Sequence, residues 1–347
     1  MKTHLNTLFV TLEGAYLRKE GAAVEVRYQG ETKLRIPLNN LDGIATFGWD
    51  TTASASLMHA CSEAQVSLTF HSPHGKFLAS AAGPISGNVL LRRAQYRAAD
   101  SELHSLKIAR NLIAAKLANS RTLLQRATRD HGEKAEERAS ELLRAIDALS
   151  IRIPLLERAE QLDTIRGIEG DAAATYFGVF NHLITLPNRG SLSLNGRTRR
   201  PPLDPINALL SFLYALLAHD CRSAAESTGL DPQCGFLHRD RPGRPSLALD
   251  MMEEFRPALA DRAALTLINR RQIQAKDFET KENGAVLLRE DSRKTVLQHW
   301  QERKQTEIIH PFLQEKITLG LLPHIQARLL ARHLRGDLDA YPAFLSK

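Results

Sequence analysis

Cysteine is scarce: Cys61, Cys221 and Cys234 are the three in 347 residues, and they form no CxxC pair and leave one over. Neither a disulfide framework nor a thiolate zinc site is indicated, and the usage fits a cytoplasmic protein in a reducing cytosol. Long apolar runs are also missing. The most apolar later stretch, residues 208–218, falls far short of the roughly 20 residues that span a bilayer. The opening MKTHLNTLFVTLEG has no small-residue cleavage site after an apolar run, so it reads as a strand rather than a signal, and no membrane role is indicated. No GxxxxGK[ST], HExxH or GxSxG run occurs, which removes the P-loop, the commonest zinc-protease and the commonest serine-hydrolase signatures. Gly167-Ile168-Glu169-Gly170 is not a dinucleotide fingerprint. His238-Arg239-Asp240 spells the kinase triplet, but Pro245 stands where the metal-binding Asn belongs and no DFG is present.

What is present divides the chain in two. Residues 1–87 read as a β-rich domain in which LFVTLE, AVEVRY, KLRIP and VSLTFH partly alternate between glycines, with a short helix near residues 56–63. From residue 88 to 347 leucine and isoleucine recur at helical spacing, so the fold class is α+β: an N-terminal β-rich domain followed by a larger α-helical domain. Helices are predicted at residues 171–186, 205–227, 247–267, 292–307 and 310–334, the second begun by Asp204 as N-cap with Pro205 at the first position. Asn283-Gly284 marks a tight hairpin among these helices. Forty-six Lys plus Arg against thirty-nine Asp plus Glu give +7, an excess that favours polyanionic partners.

Several residues suit metal chemistry. Glu169, between two glycines and ahead of a helix, is predicted to project from a loop at that helix's N-terminus, where the macrodipole would also favour a simple structural acid. His238 closes GLDPQCGFLH and opens the basic loop RDRPGRPS, either as a ligand or as an ordinary surface or core histidine. In SLALDMMEEFRP, Asp250 precedes Glu253 and Glu254 by three and four residues, placing the acids near one helix face, a repulsive arrangement that a hard cation relieves. Carboxylates with one imidazole and no thiolate suit Mg²⁺ or Mn²⁺ better than Zn²⁺. Arg197, Arg199 and Arg200, then Arg239, Arg241 and Arg244, then Arg270, Arg271 and Lys276 form basic clusters, either solvated loops or phosphate contacts. Before about residue 100 no such acidic or histidine cluster occurs, so the β domain is expected to carry dimer or partner contacts.

The chain resembles the CRISPR-associated protein one integrases, especially those of type I-C. The resemblance runs in order through LFVTLEGAYLRKEG, IPLNNLDGIATFG, GNVLLRRAQYRAAD, GIEGDAAATYF, RRPPLDPINALLSFLYALL, GFLHRDRPGRPSLALDMMEEFRP and ENGAVLL. It implies a β domain before a helical catalytic domain, and it places the family's metal-binding glutamate on Glu169, its histidine on His238 and its acidic helix pair on Asp250 and Glu253. The last ligand is commonly Asp in the family. Here it is Glu253 followed by Glu254, so the resemblance leaves open which glutamate meets the ion. Further, it implies attack by a DNA 3′-hydroxyl on a repeat phosphodiester, with nuclease activity when water attacks instead. Glu169, His238 and Glu253 would hold Mg²⁺ or Mn²⁺, Asp250 would bind or orient it, and the arginines would bind double-stranded and branched DNA. A homodimer, CRISPR-associated protein two and the nuclease CRISPR-associated protein four are the partners it implies. A DNA-binding scaffold without chemistry and a hydrolase of small phosphorylated molecules are the competing classes.

Overall fold

A computed structural model describes residues 7–41, 43–64, 66–73, 77–81, 83, 89–130, 136–186, 192–198 and 201–346. The chain forms two compact units. The first joins Met1–Gly87 to Arg289–Thr306 and Thr318–Leu321, and the second holds Asn88–Leu288, Glu307–Ile317 and Leu322–Lys347. A single cut after residue 87 therefore misassigns two later segments, because a helical stripe announces that a helix has a packing partner without saying which.

The first unit contains two four-stranded sheets. One has the order β1 (Thr7–Val10), β5 (Gly43–Phe47), β7 (Ser67–His71) and β8 (Phe77–Ala81), parallel except for its last pair. The other has the order β4 (Glu31–Pro37), β3 (Ala23–Tyr28), β2 (Tyr16–Glu20) and β6 (Thr52–Ala53). Between β3 and β4, Gln29 and Gly30 take φ of 53° and 84°, the twin left-handed positions of a type I′ turn. Helix α1 (Ala55–Glu63) starts on Ser54, whose Oγ accepts from Leu57 N–H. Leu17, Val24, Val26, Ile44, Leu57 and Leu68 meet in one core. Glu25, on the opposite face of β3 from Val24 and Val26, is covered by Thr32 and Arg18.

The second unit is helical: α2 (Val89–Asp100), α3 (Glu102–Asp130), α4 (Glu136–Glu157), α5 (Leu162–Gly178), α6 (Pro205–Thr228), α7 (Ser246–Phe255) and α8 (Arg262–Asn269). The 29-residue α3 packs along α4, α5 and α7, and its buried Lys116, Asn119 and Ser120 face inward in a mostly apolar setting. Between α7 and α8 the helix widens into a π segment, Arg256–Asp261. Pro257 lacks the N–H that an α-helix would donate to the carbonyl of Glu253, which accounts for the change of winding. The hairpin β9 (Phe278–Thr280) and β10 (Val286–Leu288) follows. Its loop is wider than a two-residue turn: Lys281 N–H donates to the Ala285 carbonyl, and of the Asn283-Gly284 pair only Gly284 has positive φ, 79°.

Helix α9 (Glu290–Lys304) buries Val296, Leu297 and Trp300 in the first unit, where Arg293 donates to the Pro73 carbonyl. Strands β11 (Glu307–Ile309) and β12 (Lys316–Thr318) and helix α10 (Leu322–Leu334) end the chain's regular structure. The helix predicted for residues 310–334 is thus only its second half. Pro311 cannot supply a helical N–H donor, and the strand pair takes up the backbone groups there instead.

Asp204 caps α6 as predicted, accepting from Asn207 N–H at 2.7 Å. The start of α5 differs from the prediction. The helix begins at Leu162 and passes through Gly167 and Gly170, so Glu169 lies inside it and not on a preceding loop. Burial of Ile165, Ala172 and Tyr176 outweighs the entropy that two glycines add to the unfolded chain. A Cβ at Gly167 would meet nothing within 4 Å. Gly167→Ala should therefore stabilise the protein by about 0.5–1 kcal/mol in urea unfolding.

Candidate active site

Helix α7 buries nearly its whole length, including Asp250, Glu253 and Glu254. Spacing suggests that the three acids act together, but each carboxylate turns to a different set of partners.

Asp250, fully buried, accepts four hydrogen bonds. Its Oδ2 receives Phe236 N–H at 2.6 Å and Leu237 N–H at 2.9 Å. Its Oδ1 receives His238 N–H at 3.0 Å and contacts His238 Nδ1 at 2.6 Å. The carboxylate's acceptor sites are filled, so Asp250 shapes the loop and orients the imidazole. With Nδ1–H directed at the carboxylate, the His238 Nε2 lone pair is left for another group, and no described residue hydrogen-bonds it. Gly235 permits this tight wrap, since a Cβ there would lie 2.8 Å from Asp250 Oδ2 and from Ser246 Cβ. From α5, Arg166 donates to the Leu237 carbonyl at 3.0 Å and fixes the loop from the other side. An open cleft of about 840 Å³ lies before the loop, lined by His238, Arg239, Arg166, Asp163, Gly235 and Tyr96 among others.

Glu169 and Glu253 converge from α5 and α7 on one cation. The Lys116 ammonium of α3 pairs with Glu169 Oε1 and with Glu253 Oε2, the latter at 2.7 Å, while Arg256 pairs with Glu253 Oε1 at 2.9 Å. Burial alone would raise the Glu253 pKa, but Arg256, Lys116 and the nearby His238 outweigh it and hold the carboxyl well below the usual range. Arg256 is itself set over the Tyr214 ring at 5.0 Å, and Tyr214 donates to Asp261 Oδ1 at 2.7 Å. Among the described residues no group of three or more His, Cys, Asp or Glu side chains stands ready-made to hold a metal ion. Two carboxylates nevertheless meet at a point already occupied by positive charge, and an imidazole with a free nitrogen lies within electrostatic range of one of them. This donor set fits a hard divalent cation.

The family profile described as "CRISPR associated protein Cas1" matches residues 8–302. The chain belongs to the Cas1 family. The CRISPR-associated endonuclease Cas1 2 of Rhodospirillum rubrum is 53% identical, with 100% of each chain covered. A Cas4 exonuclease/Cas1 endonuclease fusion of Geobacter sulfurreducens is 36% identical over 98% of this chain and 60% of the fusion. Among solved structures, a casposase bound to integration product has a TM-score of 0.83 at 23% identity, covering 97% of this chain and 93% of its own. A Cas6-RT-Cas1–Cas2 complex has a TM-score of 0.82 at 22% identity, covering 99% of this chain and 36% of its own. At such identities these structures establish the Cas1-like fold alone.

The arginines of this Cas1 chain fall into different settings. Arg197 turns inward, donating to Asn207 Oδ1 at 2.6 Å and lying 5.2 Å from the Tyr214 ring centre. Arg199 and Arg200 lie outside the described residues. Arg239 is exposed and paired with Asp163 at 3.0 Å, whereas Arg241, Arg270 and Arg271 are exposed and Arg244 is half-buried. The sequence missed the buried Lys116 and Arg256 and the half-buried Arg166, because helical repeats give no sign of which charge turns inward.

Glu254 belongs to the scaffold of the Cas1 helical unit. It accepts from Tyr341 OH and from Phe344 N–H, each at 2.5 Å, and from Gln326 Nε2 at 3.3 Å, so it ties down the C-terminal segment. Burial pushes its pKa up to about 7 against those hydrogen bonds, and burial pushes Asp261 up to about 6. Both folded values exceed those of unfolded carboxylates. Their stabilising protonation is complete below about pH 4 and is lost as pH rises through the folded values. Thermal stability should fall between pH 5 and 7.5, and Glu254→Gln should flatten that fall in a melting series. Asp250→Asn, which puts an amide N–H₂ against backbone N–H donors, should cost about 2–4 kcal/mol by urea unfolding.

Proposed function

We propose that the chain is the integrase and nuclease of a CRISPR adaptation system, of the type I-C kind, joining short DNA fragments into a repeat array. The observation that carries the site assignment is the convergence of Glu169 and Glu253 on one cation beside an imidazole oriented by Asp250. Glu169, Glu253 and His238 Nε2 would hold Mg²⁺ or Mn²⁺, which when bound supplies charge to polarise a scissile phosphate. The rest falls to the chain's own groups. Asp250 holds the imidazole in the tautomer that presents Nε2, and Arg166 keeps its loop against α5. Arg256 keeps the Glu253 carboxylate ionised and directed. Arg239, Arg241 and Arg244, on the His238 loop, neutralise backbone phosphates of double-stranded or branched DNA, with Arg270 and Arg271 as further contacts. A 3′-hydroxyl aligned against the repeat phosphodiester then displaces the neighbouring 3′-oxygen without ATP, and water in the same place gives cleavage.

For assembly, the proposal is a homodimer with Cas2, joined by Cas4, in the cytoplasm. Support comes from the relative fused to Cas4 and from the similar chain solved in a complex with Cas2. No helix among the described residues is long and apolar enough to cross a membrane. The β-rich unit, none of whose described residues is among those assigned to the site, is assigned to dimer and partner contacts.

Glu169→Gln, His238→Ala and Glu253→Gln should each abolish Mn²⁺-dependent joining of labelled duplex into a repeat-bearing plasmid, while most DNA affinity persists. Full activity in both the Glu169 and His238 variants would refute the site. Glu254→Gln should remain active, since its carboxylate faces the C-terminal segment. Replacing Arg239, Arg241 and Arg244 together should weaken DNA binding and reduce the slope of log affinity against log salt by about 3. An unchanged slope would show that the loop is merely solvated.

A further inference from the structure

Lys116 has no part in the chemistry assigned above, yet its ammonium is the group on which both catalytic carboxylates close. We propose that Lys116 is a built-in counter-cation: it holds Glu169 and Glu253 together in the metal-free protein, and a divalent ion binds only by displacing it. The proposal rests on the metal assignment made under the proposed function.

Three features support the exchange. The first is competition for the same atoms. Arg256 occupies Glu253 Oε1 at 2.9 Å, so Oε2 is the oxygen left for an ion, and Lys116 pairs with Oε2 at 2.7 Å while also contacting Glu169 Oε1. The second is charge balance. Two carboxylates face one ammonium and one guanidinium, which is neutral in sum, and a divalent ion added without displacement would leave two excess positive charges in a largely buried site. The third is which cation can yield. Both are buried, but Arg256 is stacked over Tyr214, whereas Lys116 is a point charge on a flexible four-carbon stem. A narrow cavity of about 20 Å³, lined by Ser120, Ala173, Tyr176 and Asp261, adjoins Lys116.

The arrangement gives the site its geometry before metal arrives, at the expense of metal affinity. Without the ammonium, the carboxylates would repel one another when empty and attract a divalent ion more strongly.

The test is Mn²⁺ binding, followed by electron paramagnetic resonance of the free ion, in the full chain and in Lys116→Met, with Glu169→Gln as control. Lys116→Met should bind Mn²⁺ on the order of tenfold more tightly. It should also melt at a lower temperature in chelator and recover more than the parent when Mn²⁺ is added. A folded Lys116→Met with equal or weaker Mn²⁺ affinity, at a site that Glu169→Gln removes, overturns the displacement and leaves the metal assignment standing. If neither protein binds Mn²⁺ at millimolar concentration, both fall. Should Lys116→Met not fold, the parent chain decides. Mg²⁺ should increase the rate at which an amine-reactive ester acylates Lys116, read by peptide mass spectrometry, and an unchanged rate at saturating Mg²⁺ overturns the proposal.

Discussion

The interior of the helical unit is organised by a requirement that buried charge be met where it lies. Asp250, Glu253 and Glu254 enter the core within five residues of one helix, and an isolated buried carboxylate would be prohibitively costly. Each is satisfied differently. Asp250 takes four hydrogen bonds from one loop, Glu253 takes two cations, and Glu254 takes a phenol, an amide and a backbone N–H from the C-terminal segment. The loop, the central helix α3 and the chain's end are therefore placed by the demands of α7.

These different satisfactions give different chemistry. A carboxylate whose acceptors are all occupied by one loop can only orient, which is what Asp250 does for His238. One faced by cations rather than by the N–H groups of a single loop remains a potential ligand, and Glu253 is that case. Glu254 meets neutral donors alone, so burial dominates and its affinity for a proton rises. The π segment contributes to the division, because the register change at Pro257 accompanies the placement of Arg256 on Glu253 and of Asp261 on the two tyrosines.

Hydrophobic periodicity and composition alone made the α+β class, the change of character near residue 88 and the cap of α6 legible, because these depend on local pattern. The strands β2 and β5 are not legible in the pattern, for opposite reasons. YLRKE reads as surface, and GIATF is buried on both faces and does not alternate. Resemblance to a known family, rather than spacing, selected Glu169, His238, Asp250 and Glu253 from many acids and histidines.

What the sequence by itself determined was therefore the kinds of element and their order, with its acids, histidine and basic loops as an inventory of candidates. Tertiary structure decided their partners. It put Glu169 inside a helix, since burial of the face that Glu169 shares with Ile165, Ala172 and Tyr176 outweighs the glycines, and it separated Glu253 from Glu254, since adjacent residues on a helix point about 100° apart into different surroundings. It also brought Lys116 to two carboxylates 53 and 137 residues away, a meeting that no local pattern encodes because it depends on how three helices pack.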